Sequence, residues 1–187
     1  MILSFEQAKQ ESLKHKVIIV PTDTVYGLAC LYDDITAVER IYAIKRRERN
    51  KPMAILVPSF KAAAPLVRHP DKLRPYANEY WPGAVTFVTE KSDRVSDDVT
   101  SGKKTVGIRM PAQPGLLAFL QEKGPLVATS LNYSDEPPIH AFDVAKKFED
   151  KVDFMIDGGW LSPLASTVYD IDTHKTYRFG TIAVRQM

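Results

Sequence analysis

Short apolar runs rich in β-branched residues recur along this chain, and two of them stop on proline. Residues 16–20 end at Pro21 and residues 53–57 at Pro58. Proline lacks the N–H that a strand ladder needs, so each run reads as a short buried strand with a sharp exit. Further strands are expected over 26–31, 85–89, 106–110, 126–129, 154–156, 167–171, 176–179 and 182–184. Helical patterns lie between them. Ser4 with Gln7 is a capping-box pattern that opens a helix to about Lys14. Thr36 with Glu39 is a second such pattern, beside Ile35, Val38, Ile41, Tyr42 and Ile44 at helical spacing. Residues 59–67, 71–80, 113–121 and 143–149 are expected to be helical too. Strands and helices that interleave in this way predict an α/β fold, a twisted mixed sheet flanked by helices.

The 187 residues are about the size of one domain, expected to span 1–187. Hydrophobic residues make up 44% and charged residues 26%, a globular composition that excludes disorder. Lysine and arginine total 25 against 23 acidic residues, so 25 − 23 = +2, which excludes a histone-like polycation but not a local basic patch. Cys30 is the only cysteine, which excludes an internal disulfide and a cysteine-built zinc site. A reducing, cytoplasmic setting is expected. The N-terminus turns polar at once and Val17-Ile18-Ile19-Val20 is too short to cross a bilayer, so neither a signal peptide nor a membrane span is expected.

Chemistry-bearing groups collect where strands are expected to end. Pro21-Thr22-Asp23-Thr24-Val25-Tyr26-Gly27-Leu28 places two hydroxyls and a carboxylate just after a buried strand. Ligands of α/β folds bind at such strand ends, but Asp and Thr also cap turns, and the residues leave both readings open. Lys45 to Lys51 holds five basic residues in seven at an expected helix C-terminus. That is either a solvated cationic helix end or a clamp for phosphate or carboxylate. Arg109 interrupts the apolar run Gly107-Ile108-Arg109-Met110, on the strand face opposite Ile108 and Met110. A buried charge there needs a partner, either a salt bridge or an anionic ligand. Thr129-Ser130-Leu131-Asn132, Ser166-Thr167 and Arg178-Phe179-Gly180 repeat the theme of hydroxyls, amides and cations at turns. The four histidines are scattered, and neither a Walker A loop nor a Gly-x-Gly-x-x-Gly motif is present. The inventory suits an anionic, phosphorylated ligand and offers neither a covalent nucleophile nor a site for a redox cofactor.

These segments together resemble the YrdC-like family. The match runs in order through Pro21 to Leu28, Lys45-x-Arg47-x-x-x-Lys51-Pro52, Trp81-Pro82-Gly83-Ala84-Val85-Thr86, Val106 to Pro111, Thr129 to Asn132, Ser166-Thr167-Val168 and Arg178-x-Gly180. It covers about residues 3 to 185. The resemblance implies a YrdC-like fold with a basic concave cleft and L-threonylcarbamoyladenylate synthase activity. That reaction joins L-threonine, bicarbonate and ATP into threonylcarbamoyl-AMP and pyrophosphate, for threonylcarbamoyladenosine in tRNA. By position, Lys45, Arg47, Ser130 and Asn132 would be catalytic. Arg47, Lys51, Thr105, Asn132 and Arg178 would bind ATP. Thr24, Arg109, Ser130 and Ser166 would bind threonine. Mg2+ would travel with the nucleotide, with no protein metal site expected. The resemblance further implies tRNA or double-stranded RNA as a partner, and downstream tRNA threonylcarbamoyl transfer proteins.

Several positions depart from the family pattern. Leu131 stands where an alanine is usual, Asp135 where a glycine is usual, and His140 where a threonine is common. Met53-Ala54-Ile55-Leu56 lacks a histidine often found there. Two alternatives follow: a non-catalytic paralogue that binds double-stranded RNA or nucleotide in the same cleft, and an adenylating enzyme with an altered acceptor.

Overall fold

A computed structural model of the chain describes residues 1–46, 48 and 52–187. Among the described residues ten strands form one mixed sheet: β1 (Ile2–Leu3), β2 (Ile18–Val20), β3 (Gly27–Leu31), β4 (Ala54–Leu56), β5 (Val85–Glu90), β6 (Thr105–Arg109), β7 (Leu126–Ser130), β8 (Phe154–Ile156), β9 (Thr167–Asp170) and β10 (Thr176–Arg178). Their order is β1-β8-β2-β3-β7-β4-β6-β5-β9-β10. The expected α/β class with a mixed sheet is the observed one.

Helices cover the two faces unequally. One face carries Ile55, Phe87, Ile108, Val127 and Tyr169, packed with α2 (Ile35–Lys45), α3 (Phe60–Ala63) and α4 (Pro70–Tyr80) in the larger core. Tyr76 and Phe87 rings meet there at 5.3 Å. The other face is covered only toward one end. There α1 (Phe5–Ala8) and α6 (Pro114–Lys123) pack Ala8, Leu116, Phe119 and Leu120 on Ile18, Val20, Ala29 and Phe154. Helices α5 (Asp97–Thr100) and α7 (Phe142–Ala145) are short.

Strand register explains what the uncovered part of the sheet looks like. Ala29 pairs with Ala128, Ala128 with Ala54, and Ala54 with Gly107. Side chains alternate between faces, so these partners share one face. A row of small residues therefore crosses four adjacent strands, and beyond the cover of α6 it leaves a hollow.

Local details correct several expectations. The Ser4–Gln7 capping box is present, but α1 stops at Ala8 rather than near Lys14. Helix α2 starts on Asp34, whose carboxylate accepts from the Ala37 amide, and not on a Thr36–Glu39 box. An aspartate one turn before the first core residue satisfies the same orphan donors. The 59–67 helix divides into α3 and a 3-10 turn at Ala64–Leu66, and the 143–149 helix into α7 and a 3-10 turn at Lys146–Lys151. Residues 182–184 are not a strand; instead the Thr167 hydroxyl donates to the Ile182 carbonyl. Trp81–Pro82 is cis, and Trp81 is a packing corner. Its Nε1 donates to the Val85 carbonyl and its ring packs on Phe87. Among the described residues no helix is long and apolar enough to cross a membrane.

Candidate functional site

The hollow is a cleft of about 240 Å³ on the open side of the sheet. Its floor is made by Ala54, Gly107 and Ala128, with Gly27, Thr86 and Val88 beside them. A Cβ on Gly107 would lie 3.1 Å from Thr86 Cγ2 and 3.6 Å from Ala54 Cβ, so any side chain there would reduce the cleft. Thr22, Thr24 and Tyr26 form one wall, while Ala165, Ser166 and Arg178 stand at another.

At one wall Arg109 leaves β6 on the open face and is only 5% exposed. Its guanidinium is held from two loops: Nη2 donates to the Asp23 carboxylate, Nη1 to Thr24 Oγ1 at 2.9 Å, and Nε to the Gly83 carbonyl at 3.1 Å. Burial lowers the Arg109 pKa and the Asp23 carboxylate opposes that fall. A guanidinium remains charged in either case. The loop itself is tied down, because Thr22 Oγ1 donates to the Val25 carbonyl and accepts from the Thr24 amide. Both readings of this segment thus hold in part. Asp23 and Thr24 are structural partners of Arg109, and Thr24 and Arg109 also line the cleft.

At the opposite wall Arg178, on β10, donates to the Ser166 carbonyl at 2.8 Å and to Ser166 Oγ at 3.0 Å. Ser166 Oγ lies 2.8 Å from Thr86 Oγ1. Gly180 permits this corner, since a Cβ there would lie 2.6 Å from the Ala165 carbonyl oxygen and 2.7 Å from the Thr167 amide nitrogen. Thr105, at the start of β6, also lines the cleft.

Thr24, Thr105, Arg109, Ser130, Ser166 and Arg178 therefore line one cleft. Two residues do not fit that picture. The cationic run starting at Lys45 suggests a solvated helix end or an anion clamp, but Lys45 is neither: it is only 1% exposed. Its Nζ donates to the Ser130 carbonyl at 2.5 Å and to Asn132 Oδ1 at 2.6 Å. Asn132 is buried as well; its Oδ1 also accepts from Ser130 Oγ, and its Nδ2 donates to the Glu136 carbonyl. Of these three only Ser130 lines the cleft, so Lys45 and Asn132 sit one hydrogen bond behind it. Arg47 and Lys51 lie outside the described residues.

The departures also find places. Leu131 is fully buried in the larger core, pointed away from the cleft by strand alternation. His140 packs against Trp160 in a tilted arrangement, with ring centroids 5.4 Å apart. Asp135 is exposed in a left-handed turn, with φ 71°. Cys30 is buried, and burial pushes its thiol up to about 12, which rules it out as a nucleophile at neutral pH.

Sequence reasoning missed Thr86 and the Ala54–Gly107–Ala128 floor. Alternation along Val85-Thr86-Phe87-Val88 was the available signal, with Thr86 set opposite two large apolar residues. Nothing local marks the small residues, because they meet only through register.

This architecture is shared with known proteins. The Sua5, YciO and YrdC family model, described as "Telomere recombination", matches residues 12–180. The chain belongs to this family. It is 37% identical over 160 residues to the threonylcarbamoyl-AMP synthase of Pyrococcus abyssi, a match covering 83% of this chain and 47% of that protein. The crystal structure of P. abyssi Sua5 complexed with L-threonine superposes with a TM-score of 0.89 at 32% identity, over 96% of this chain and 57% of that one. E. coli YciO superposes with a TM-score of 0.85 at 28% identity, over 97% of this chain and 91% of that one. The chain thus spans about half the length of the P. abyssi synthase.

Proposed function

We propose that the protein is a threonylcarbamoyl-AMP synthase acting in the cleft between Arg109 and Arg178, in service of tRNA modification. The observation that carries this reading is the arrangement at the cleft walls. A preorganised buried guanidinium and two hydroxyls at one wall suit an amino-acid carboxylate, and a second guanidinium stands across the cleft beside Ser166. The P. abyssi relative with its bound L-threonine supports the same substrate.

In this reading Arg109 and Thr24 hold the threonine carboxylate, while Ser130 and Ser166 orient the rest of the amino acid. Thr105 and Arg178 receive the nucleotide, together with Arg47 and Lys51. Asn132 and Lys45 hold Ser130 in place from behind. The threonine ammonium first gives up a proton to water; the neutral amine then attacks the carbon of bicarbonate and water leaves, giving a carbamate. A carbamate oxygen then attacks the α-phosphorus of ATP, and the bond to pyrophosphate breaks. No protein nucleophile is required; fixed cations stabilise charge on the transferring group, and confinement in one cleft supplies orientation. Magnesium would neutralise the phosphates. Among the described residues no group of three or more His, Cys, Asp or Glu side chains could hold a metal ion. In this reading the ion would be carried by nucleotide and water, and no step here depends on a protein ligand to it.

The test is pyrophosphate release from ATP by purified protein, with L-threonine and bicarbonate added singly and together. Release that needs both supports the synthase. Release with another amino acid indicates an altered acceptor, and no release from folded protein leaves a nucleotide- or RNA-binding paralogue.

A further inference from the structure

The Arg109 end of the cleft contains a negative charge that binding a carboxylate does not call for. Asp23 forms a buried ion pair with Arg109, their side chains being 14% and 7% exposed. Thr24 and Arg109 line the cleft, and Asp23 does not. From the geometry we infer that Asp23 is a specificity-determining residue: by neutralising Arg109, it makes this end of the cleft accept a zwitterionic α-amino acid in preference to a simple carboxylate or a phosphate. The inference rests on the proposed role of Arg109 as partner of the amino-acid carboxylate.

Charge at short range decides which ligand this end of the cleft accepts. Arg109 has five N–H donors, and three are taken by Asp23, Thr24 and Gly83. Its two terminal nitrogens each keep one N–H for a ligand, so a carboxylate can still be hydrogen-bonded. Without Asp23 the guanidinium would be an uncompensated buried cation. It would attract any anion, the phosphates of ATP included, and it would repel an ammonium placed beside the carboxylate it binds. With Asp23 the pair has no net charge. A simple carboxylate then brings a charge into a neutral, partly dehydrated place and gains only hydrogen bonds. A zwitterion brings no net charge, and its ammonium feels the carboxylate of Asp23 as well as the guanidinium. Because Asp23 acts through Arg109 from outside the cleft, it is a positioning residue and not a catalytic one.

The experiment is calorimetric titration of the full chain with L-threonine and with 3-hydroxybutanoate, the same skeleton without the amine. Wild-type protein is expected to bind threonine at least tenfold more tightly. Asp23→Asn keeps the shape and a hydrogen-bond acceptor but removes the charge. It is expected to shift the ratio of the two affinities at least tenfold toward 3-hydroxybutanoate, and Asp23→Glu to restore the wild-type preference. A merely structural Asp23 would weaken both ligands together and leave the ratio unchanged, which overturns the inference. Absence of any preference in the wild type overturns it too. If Asp23→Asn does not fold, loss of the preference in folded Asp23→Glu contradicts it. Wild-type protein that binds no threonine refutes the functional reading itself, and that outcome is distinct from an unchanged ratio.

Discussion

The ammonium of Lys45 lies 2.6 Å from the amide oxygen of Asn132, at a position almost wholly removed from solvent. The last turn of α2 is thereby joined to the end of β7, and Asn132 is aligned so that Ser130 can face the cleft. Lys45→Met retains the length of the side chain but leaves the Asn132 oxygen and the Ser130 carbonyl short of a donor. Loss of a charged hydrogen-bond donor at a buried site costs about 2–4 kcal/mol. Urea unfolding should show a loss of that size together with lost turnover. Unchanged stability would mean that Lys45 is not a structural tie.

Gly107 is required for space in the cleft rather than for backbone freedom. Gly107→Val places methyl groups over the floor, against Thr86 and Ala54. Valine suits a strand, so the cost in stability should stay near about 1 kcal/mol. Threonine affinity should fall at least tenfold in the same calorimetric titration. Equal affinity would show that the amino acid does not lie on this floor.

Gly180 makes the opposite case, since its missing side chain matters to the backbone. In Gly180→Ala the new Cβ meets main-chain atoms of Ala165, Ser166 and Thr167 at 2.6–3.0 Å, and none of these can rotate away. The Gly180 amide would be pushed off Thr167 Oγ1, which it now reaches at 3.0 Å. A penalty of about 1–3 kcal/mol is expected, as for other overpacked positions. Because Ser166 and Arg178 share this corner, the KM for ATP should rise as well. A variant with wild-type melting temperature and wild-type KM would contradict the account.

Three aspartates predict acid sensitivity. Burial works against ionisation at Asp34, Asp153 and Asp172, yet hydrogen bonds and cations outweigh it and hold all three below the ordinary carboxylate range. Asp34 is bonded by His15 and by the Ala37 amide, Asp153 by the Val17 amide and Arg40, and Asp172 by Thr89 and Lys72. Their folded pKa values lie below the unfolded value of about 3.9. Their stabilisation is therefore complete above about pH 4–5 and is lost as the pH falls through the folded values. Melting temperature should hold from pH 7 to 5 and decline steeply below about pH 4. Asp153→Asn should flatten that decline, and an unchanged profile would contradict this assignment.

What the sequence revealed and what it hid follow from the range of the interactions involved. Capping of α1 by Ser4, the strand at Phe154–Ile156 and the polar strand ends at Thr24, Ser130 and Ser166 depend on nearby residues, so local pattern was enough. Arg109 was legible as a buried charge in need of a partner, because alternation fixes its face. That Asp23 is the partner, 86 residues away, depends on the β2–β3 loop lying over β6. The burial of Lys45 was hidden for the same reason. Its sequence neighbours are cations and suggest an exposed helix end, whereas its actual environment is supplied by Ser130 and Asn132. The cleft floor is a matter of register across β3, β7, β4 and β6, and no local pattern encodes it.

The central claim is that one cleft joins an amino acid, bicarbonate and ATP. It is tested most directly by incubating the protein with carbon-labelled bicarbonate, ATP and L-threonine, and analysing the adenylate product. The account predicts label in a compound containing both AMP and threonine, formed only when all three substrates are present and lost in Arg109→Ala. Folded wild-type protein that transfers no label, or that forms the adenylate without incorporating bicarbonate carbon, would contradict it.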